Sequence, residues 1–395
     1  MKAIFPSSSP VRLFSLLFPL LLLLFAGDRC TPPLRPSGAS TDEQSVYVGT
    51  YTRKEGHVDG KAAGIYRAVF NTETGAIKPY ELVADITNPS YLKYDATTRR
   101  LYAVSELRRE GEPTGYLHVL DERRGELREV AKLPTDGQAP CHIAHSGPSQ
   151  FIVVTNYVGG VAKLYQNTAD GVVAVDKFTV PESAKNGRAS WLHSSQFSPD
   201  TKILAIADKG LSKVWLFTLD VANRKLVPHP QVAVDLAEGA GSRHLVWSRD
   251  GGRLYVINEL DNTINLLTYD RPQDRFSVDQ TISTLPSGVT ERSITADIHL
   301  HPNGRFLYGS NRGHNSIAVY AVVEGTGELT SLGFEPTRGA YPRNFTVAPN
   351  GKFLFVANQN TSNVTSYGID PDSGKLTFTG LDYSIPTPVC LEFTE

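Results

Sequence analysis

From Ser45 to the end of the chain, apolar and β-branched residues come in short runs separated by clusters of Asp, Asn, Gly, Ser and Pro, which is a pattern of strands and turns. A unit of apolar strand, polar turn and second apolar strand ending in a polar cluster recurs six times. It reads SYLKYDATTRRLYAVSE from Ser90, HIAHSGPSQFIVVTNY from His142, HSSQFSPDTKILAIADK from His193, RHLVWSRDGGRLYVINE from Arg243, DIHLHPNGRFLYGSNR from Asp297 and RNFTVAPNGKFLFVANQ from Arg343. Between these units lies a second periodic element, a polar turn approximating D-x-x-x-G-x-L, seen at Asn71 to Ile77, Asp121 to Leu127, Asn167 to Val173, Asp220 to Leu226, Asp270 to Phe276, Val323 to Leu329 and Asp370 to Leu376.

Seven turns against six complete units have a physical resolution. Pro388 to Phe393 (PVCLEF) reads as a first strand with nothing after it, and Ser45 to Thr52 (SVYVGTYT) as a second strand with nothing before it. Joined in one sheet they complete a seventh unit. Short strands repeating at this spacing predict an all-β fold, a seven-bladed β-propeller over 45–395, closed by the N- and C-terminal strands in one blade. Such closure leaves no free sheet edge, so no partner chain is obligatory and a monomer is expected.

Composition narrows the partners. The 395 residues carry 39 Lys and Arg against 41 Asp and Glu, a balance without the basic field that nucleic-acid binding requires, so a small-molecule partner is expected. The three cysteines, Cys30, Cys141 and Cys390, are too scattered for a disulfide framework or a CxxC zinc site; Cys141 and Cys390 are expected to be free, buried thiols. Residues 1–27 read as a secretory leader: Lys2 and Arg12 precede the apolar run Leu13 to Ala26, which is interrupted by Pro19 and too short to span a bilayer as a helix. Residues 28–44 read as a linker. Export to a periplasmic or extracellular space follows, with only transient membrane contact by the leader; an uncleaved anchor is the alternative. Lipidation at Cys30 is disfavoured, since Asp28 and Arg29 precede it.

In a propeller, the first strand of a blade begins at the rim where the second strand ends. The starts (His142, His193, Arg243, His244, Asp297, His299, Arg343, Asn344) and the ends (Glu106, Asn156, Asp208, Glu259, Arg312, Asn358, Gln359) therefore converge on one mouth. Each could be a structural polar group, but so many imidazoles, guanidiniums and carboxylates on one axis point to a site. Arg312 and Arg343 suit a carboxylate or phosphate. No GxxxxGK[ST] or GxSxG sequence is present, which argues against a phosphate loop and a serine-hydrolase elbow. Asn344, Asn360 and Asn363 head N-x-[ST] sequons.

The segments NYVGG (Asn156 to Gly160), GSRHLVWS (Gly241 to Ser248), VINEL (Val256 to Leu260), ADIHLHPNGRFLYGSNRGHNSIAVY (Ala296 to Tyr320) and PRNFTVAPNGKFLFVANQ (Pro342 to Gln359) resemble the propeller-type lactonases, the family of bacterial 6-phosphogluconolactonase and fungal carboxy-muconate cyclase. The resemblance implies metal-independent opening of a sugar lactone, phosphorylated or not, with no cofactor. Residue by residue it implies His193, Arg243, Glu259 and one of Arg312 or Arg343 as the catalytic and anion-binding set; with the converging mouth residues, the expectation is that His193, Arg243 and Glu259 are catalytic and that His244, His299, Arg312, Arg343 and Asn358 bind substrate. Glu259 or His193 would activate water and Arg243 would stabilise the oxyanion. Where the family often has PHxH this chain has SWLH, so Trp191 stands in place of a histidine. A non-catalytic envelope binding propeller and a muconate-type lactonising cyclase are the competing readings.

Overall fold

The computed structural model describes residues 42–56, 58–108 and 114–394. The leader, most of the linker and Cys30 lie outside the described residues. Among those described, the strands form seven four-stranded antiparallel sheets and one two-residue hairpin, Lys54–Glu55 with Val58–Asp59. No described helix is long and apolar enough to cross a membrane.

Each sheet is a blade that meanders outward from the axis. Blade 5 is representative: Ser242–Trp247 is innermost, followed by Arg253–Asn258, Thr263–Asp270 and Arg275–Ser283. The inner strands are buried on both faces and hence apolar on alternate and intervening positions, whereas the outermost strand is mostly exposed, with half-buried residues at alternate positions. The hairpins joining the third and fourth strands are those forecast by the D-x-x-x-G-x-L turns. At the opposite turn, between the first and second strands, Gly251, Gly304 and Gly351 hold φ values of 66°, 77° and 72°. Thr201 occupies the same left-handed conformation in blade 4, at φ 59°.

Blade 1, from which blades 2 to 7 follow in chain order, is built from both ends of the chain: Pro388–Phe393 pairs with Glu43–Thr50, with Val46 opposite Phe393 and Val48 opposite Leu391. Seven apolar clusters, one between each pair of adjacent blades, make the core a ring of interfaces rather than a centre. The closing interface is sealed by Phe70, whose ring sits edge-on to Phe355, Phe353 and Phe393 at 4.8, 5.8 and 5.6 Å. Cys141 and Cys390 are free and buried, as expected from their spacing.

Candidate active site

One irregularity recurs in the innermost strands. In blade 4, Leu192 pairs with Asp208 and Ser194 with Ala207, leaving His193 opposite nothing. The same slip leaves out Arg243 in blade 5, Arg343 in blade 7, Cys141 in blade 3 and Val389 in the closing blade, while blade 6 bulges over Ala296 and Asp297. A bulge inserts one extra residue and re-aims it. Here the extra residues of successive blades face the axis.

The second strands contribute by a different rule. Polar residues at or near their ends, Thr50, Ser105, Asn156, Asp208, Asn258, Asn311 and Asn358, turn away from the axis into blade joints. Asn156 donates to Thr135 O, Asn311 to Thr284 O and Asn358 to Thr337 O, each at 2.7 to 3.2 Å. Asp208 accepts from Ser190 Oγ, the Trp191 amide, the Leu211 amide and Trp215 Nε1. The residues that follow them, Glu106, Tyr157, Lys209, Glu259 and Arg312, line a cavity of about 460 Å³ together with Cys141, His193, Tyr341 and Arg343.

At the cavity floor Glu259 is buried and gathers three cations. Its Oε1 accepts from Lys209 Nζ at 2.5 Å; its Oε2 accepts from Arg243 Nε at 2.9 Å and lies 3.0 Å from an Arg312 guanidinium nitrogen. Burial alone would raise the carboxyl pKa, but Arg312, Arg243 and Lys209 together hold it far below the ordinary range. Arg243 is itself only 2% exposed and also donates to Ala296 O. Desolvation, then repulsion from Arg312, lowers its pKa to about 10. Arg312 donates to Thr295 O and lies over the Tyr341 ring, 5.1 Å from its centroid.

His193 borders the same cavity, and its Nδ1 is buried without a hydrogen-bond partner among the described residues. Burial, then the charge of Arg243, pushes its pKa well below 6.5, so the imidazole is neutral at neutral pH. The ring of Tyr157 stands edge-on to it at 5.6 Å, and the Tyr157 hydroxyl accepts from Lys209 at 3.2 Å. Across the cavity Tyr51 donates to Glu106 at 2.8 Å, and Arg343 approaches Glu106 at 3.8 Å while lying over the Tyr51 ring at 5.3 Å.

Three residues expected to bind substrate are not on this cavity. Asn358 is fully buried and spends its amide on Thr337 O and Thr365 Oγ1, facing a blade joint rather than the cavity. His244 lies one layer deeper, hydrogen-bonded through Nδ1 to Asp297 at 2.6 Å, with burial lowering its pKa to about 4. His299 is two residues further along the axial strand than Asp297 and contacts its other oxygen at 3.1 Å. Asn344 also donates to Asp297, at 2.5 Å, and is buried, so that sequon asparagine is engaged inside the axis. Asp297 is thus the hub of a packed polar layer beneath the cavity. Conversely, Lys209 and Tyr157 line the cavity and were not singled out from sequence, nor was the buried Tyr51 that donates to Glu106. Their signal was available: each follows the strand-ending polar residue just as Glu259 follows Asn258.

A family model described as a seven-bladed β-propeller lactonase matches residues 45–393. The chain belongs to the seven-bladed propeller lactonases. Within the set of similar proteins, the 6-phosphogluconolactonase of Bacillus subtilis is 30% identical over 306 residues, covering 76% of this chain and 83% of that one. That of Formosa agariphila is 30% identical over 312 residues, covering 76% and 86%. Of solved structures, the periplasmic gluconolactonase of Pseudomonas aeruginosa superposes with a TM-score of 0.81 at 28% identity, over 89% of this chain and 99% of that one. In this lactonase-family chain the cavity just described is, among the described residues, the site where bulged inner-strand residues and the ends of the second strands meet around a charged cluster.

Proposed function

We propose that the protein hydrolyses a sugar lactone in the axial cavity, without a metal, and does so outside the cytoplasm. The observation that carries this reading is the juxtaposition, on one cavity, of His193, whose buried Nδ1 has no hydrogen-bond partner among the described residues, with a carboxylate that clamps three cations. Hydrolysis of a lactone needs a proton acceptor for water and positive charge where the carbonyl oxygen becomes an oxyanion. His193 supplies the first. Lys209 and Arg312, which border the cavity, supply the second, and Arg243 reinforces them from beneath.

Glu259 is assigned as counter-ion, not base: a carboxylate held by three cations has little affinity for a proton. It fixes the cation cluster in advance, so that little reorganisation is needed as charge develops. In the reaction, water forms a bond to the carbonyl carbon while its proton passes to His193 and the carbonyl electron pair moves to oxygen. Collapse breaks the bond to the ring oxygen, which takes the proton from His193. The open-chain acid then ionises to the aldonate and releases a proton to solvent. The oxyanion itself favours the transient imidazolium by lying beside it.

Glu106 and Arg343 offer an acceptor and donors on the cavity lining, with the buried Tyr51 hydroxyl donating to Glu106, a combination suited to vicinal hydroxyls. An unphosphorylated aldonolactone is the preferred substrate in this reading. The secretory character of residues 1–27 supports it, as does the periplasmic gluconolactonase among the structural neighbours. The test is hydrolysis of glucono-δ-lactone and 6-phosphogluconolactone by the purified protein, corrected for the spontaneous reaction, with and without EDTA. Turnover that is insensitive to EDTA and lost in His193→Ala supports the proposal; no turnover of either lactone, or full activity in that variant, overturns it.

A further inference from the structure

A rigidly held aromatic surface stands next to the cavity and is unused by the chemistry above. Trp191 is 37% exposed, while Trp215 and Trp247 are buried. Its indole stacks on Tyr157, centroids 5.8 Å apart and planes within 12°, and Tyr157 lines the cavity wall beside His193. The Lys209 ammonium lies 5.5 Å from the Tyr157 ring centroid and 5.8 Å from that of Trp191.

The backbone here is fixed from several sides. The Trp191 amide donates to Asp208 Oδ1 at 3.0 Å, its carbonyl accepts from the Lys209 amide at 2.9 Å, and Ser190 Oγ ties the preceding residue to Asp208 at 2.7 Å. Leaving a large apolar ring partly in water costs hydrophobic free energy. Pinning it in one geometry before any ligand arrives lowers the ordering cost of binding to it. An indole face bordered by a tyrosine and a cation, at the edge of a polar pocket, matches a ligand with one apolar face and hydroxyls around its rim. A pyranose ring has that character.

Resting on the lactonase reading, we propose that Trp191 and Tyr157 form an outer subsite for a second sugar ring, so that the substrate class extends to lactones of disaccharide aldonic acids. The lactone ring sits against His193 and the Glu259 cluster, and the glycosyl substituent leaves the cavity over Tyr157 and stacks on Trp191.

Two measurements on the full-length protein test this. The first compares kcat/KM for cellobiono-δ-lactone with that for glucono-δ-lactone. Wild type should favour the disaccharide lactone, Trp191→Ala should reduce that preference by roughly tenfold or more, and Trp191→Phe should recover most of it. The second uses the hydrolysis-stable product. Cellobionate should change the tryptophan emission saturably in wild type and not in Trp191→Phe, whose two remaining indoles are buried. A preference unaltered in Trp191→Ala, or no emission response to cellobionate, overturns the subsite. Absence of turnover on both lactones would overturn the lactonase reading instead, and the emission titration would still decide whether the subsite exists.

Discussion

Lys209 and Glu259, 50 positions apart and on neighbouring blades, are joined at 2.5 Å across the floor of the axial cavity. The carboxylate so held also binds Arg243 and Arg312, and removal of its charge strands three cations together. Glu259→Gln should therefore cost about 3–5 kcal/mol of stability, as expected for breaking a buried ionic network. It should also reduce kcat by about 10²–10³-fold through disordered oxyanion donors. Denaturant unfolding and lactone kinetics on the same preparation check both.

His193 should behave oppositely. Its buried Nδ1 has no partner to lose, so His193→Ala is expected to leave the thermal midpoint nearly unchanged while lowering kcat by about 10²–10⁴-fold. A large stability loss with retained activity would assign this imidazole a structural role.

Acid should unfold the protein early. His142, His193 and His244 all have pKa values depressed by burial, the last to about 4, against 6.5 in the unfolded chain. Between those values the unfolded state binds more protons than the folded one, so stability falls as pH drops below about 6.5. Each such proton contributes about 1.4 kcal/mol per pH unit, and three contribute about 4. Glu259 and Asp297, whose carboxyl pKa values are lowered in the fold, add to the loss at still lower pH. Unfolding free energies measured from pH 7 to 4 test the slope. The acid limb of kcat/KM should likewise lie below the ordinary histidine value.

Asn358 should matter to folding and not to substrate. Asn358→Ala removes a donor to Thr337 O and Thr365 Oγ1 inside a blade joint and should cost about 1–3 kcal/mol with KM unchanged. A raised KM at unchanged stability would contradict its placement.

The left-handed Thr201 is a local weakness where blades 5, 6 and 7 use glycine. Relieving a β-branched residue of that conformation is worth about 1–2 kcal/mol, so Thr201→Gly should raise the thermal midpoint by a few degrees.

The blade count and the closure were legible because both depend on local information. Strand periodicity and turn residues recur within every unit, and the unmatched strands at Ser45 to Thr52 and Pro388 to Phe393 can only pair with each other. The convergence of His193, Arg243, Glu259, Arg312 and Arg343 was legible for the same reason, since strand direction alone brings these ends to one mouth. What the pattern did not reveal is which residue of each terminal pair faces inward. Asn358 was expected in the site and lies behind it, while Lys209, next to the expected Asp208, lies in it. That choice is made by bulges in the innermost strands and by side-chain amides that cap neighbouring connections, and a one-residue slip reverses the face. Nor could sequence alone reveal that three cations share one carboxylate. Arg243 shares a blade with Glu259, but Lys209 and Arg312 come from the blades on either side, and their distances to Glu259 depend on how the blades pack around the axis. The chain's pattern set the ring and the roster of charged groups brought to its mouth; tertiary packing decided which of them touch, because the contacts of Glu259 with Lys209 and Arg312 run across blades rather than along the chain.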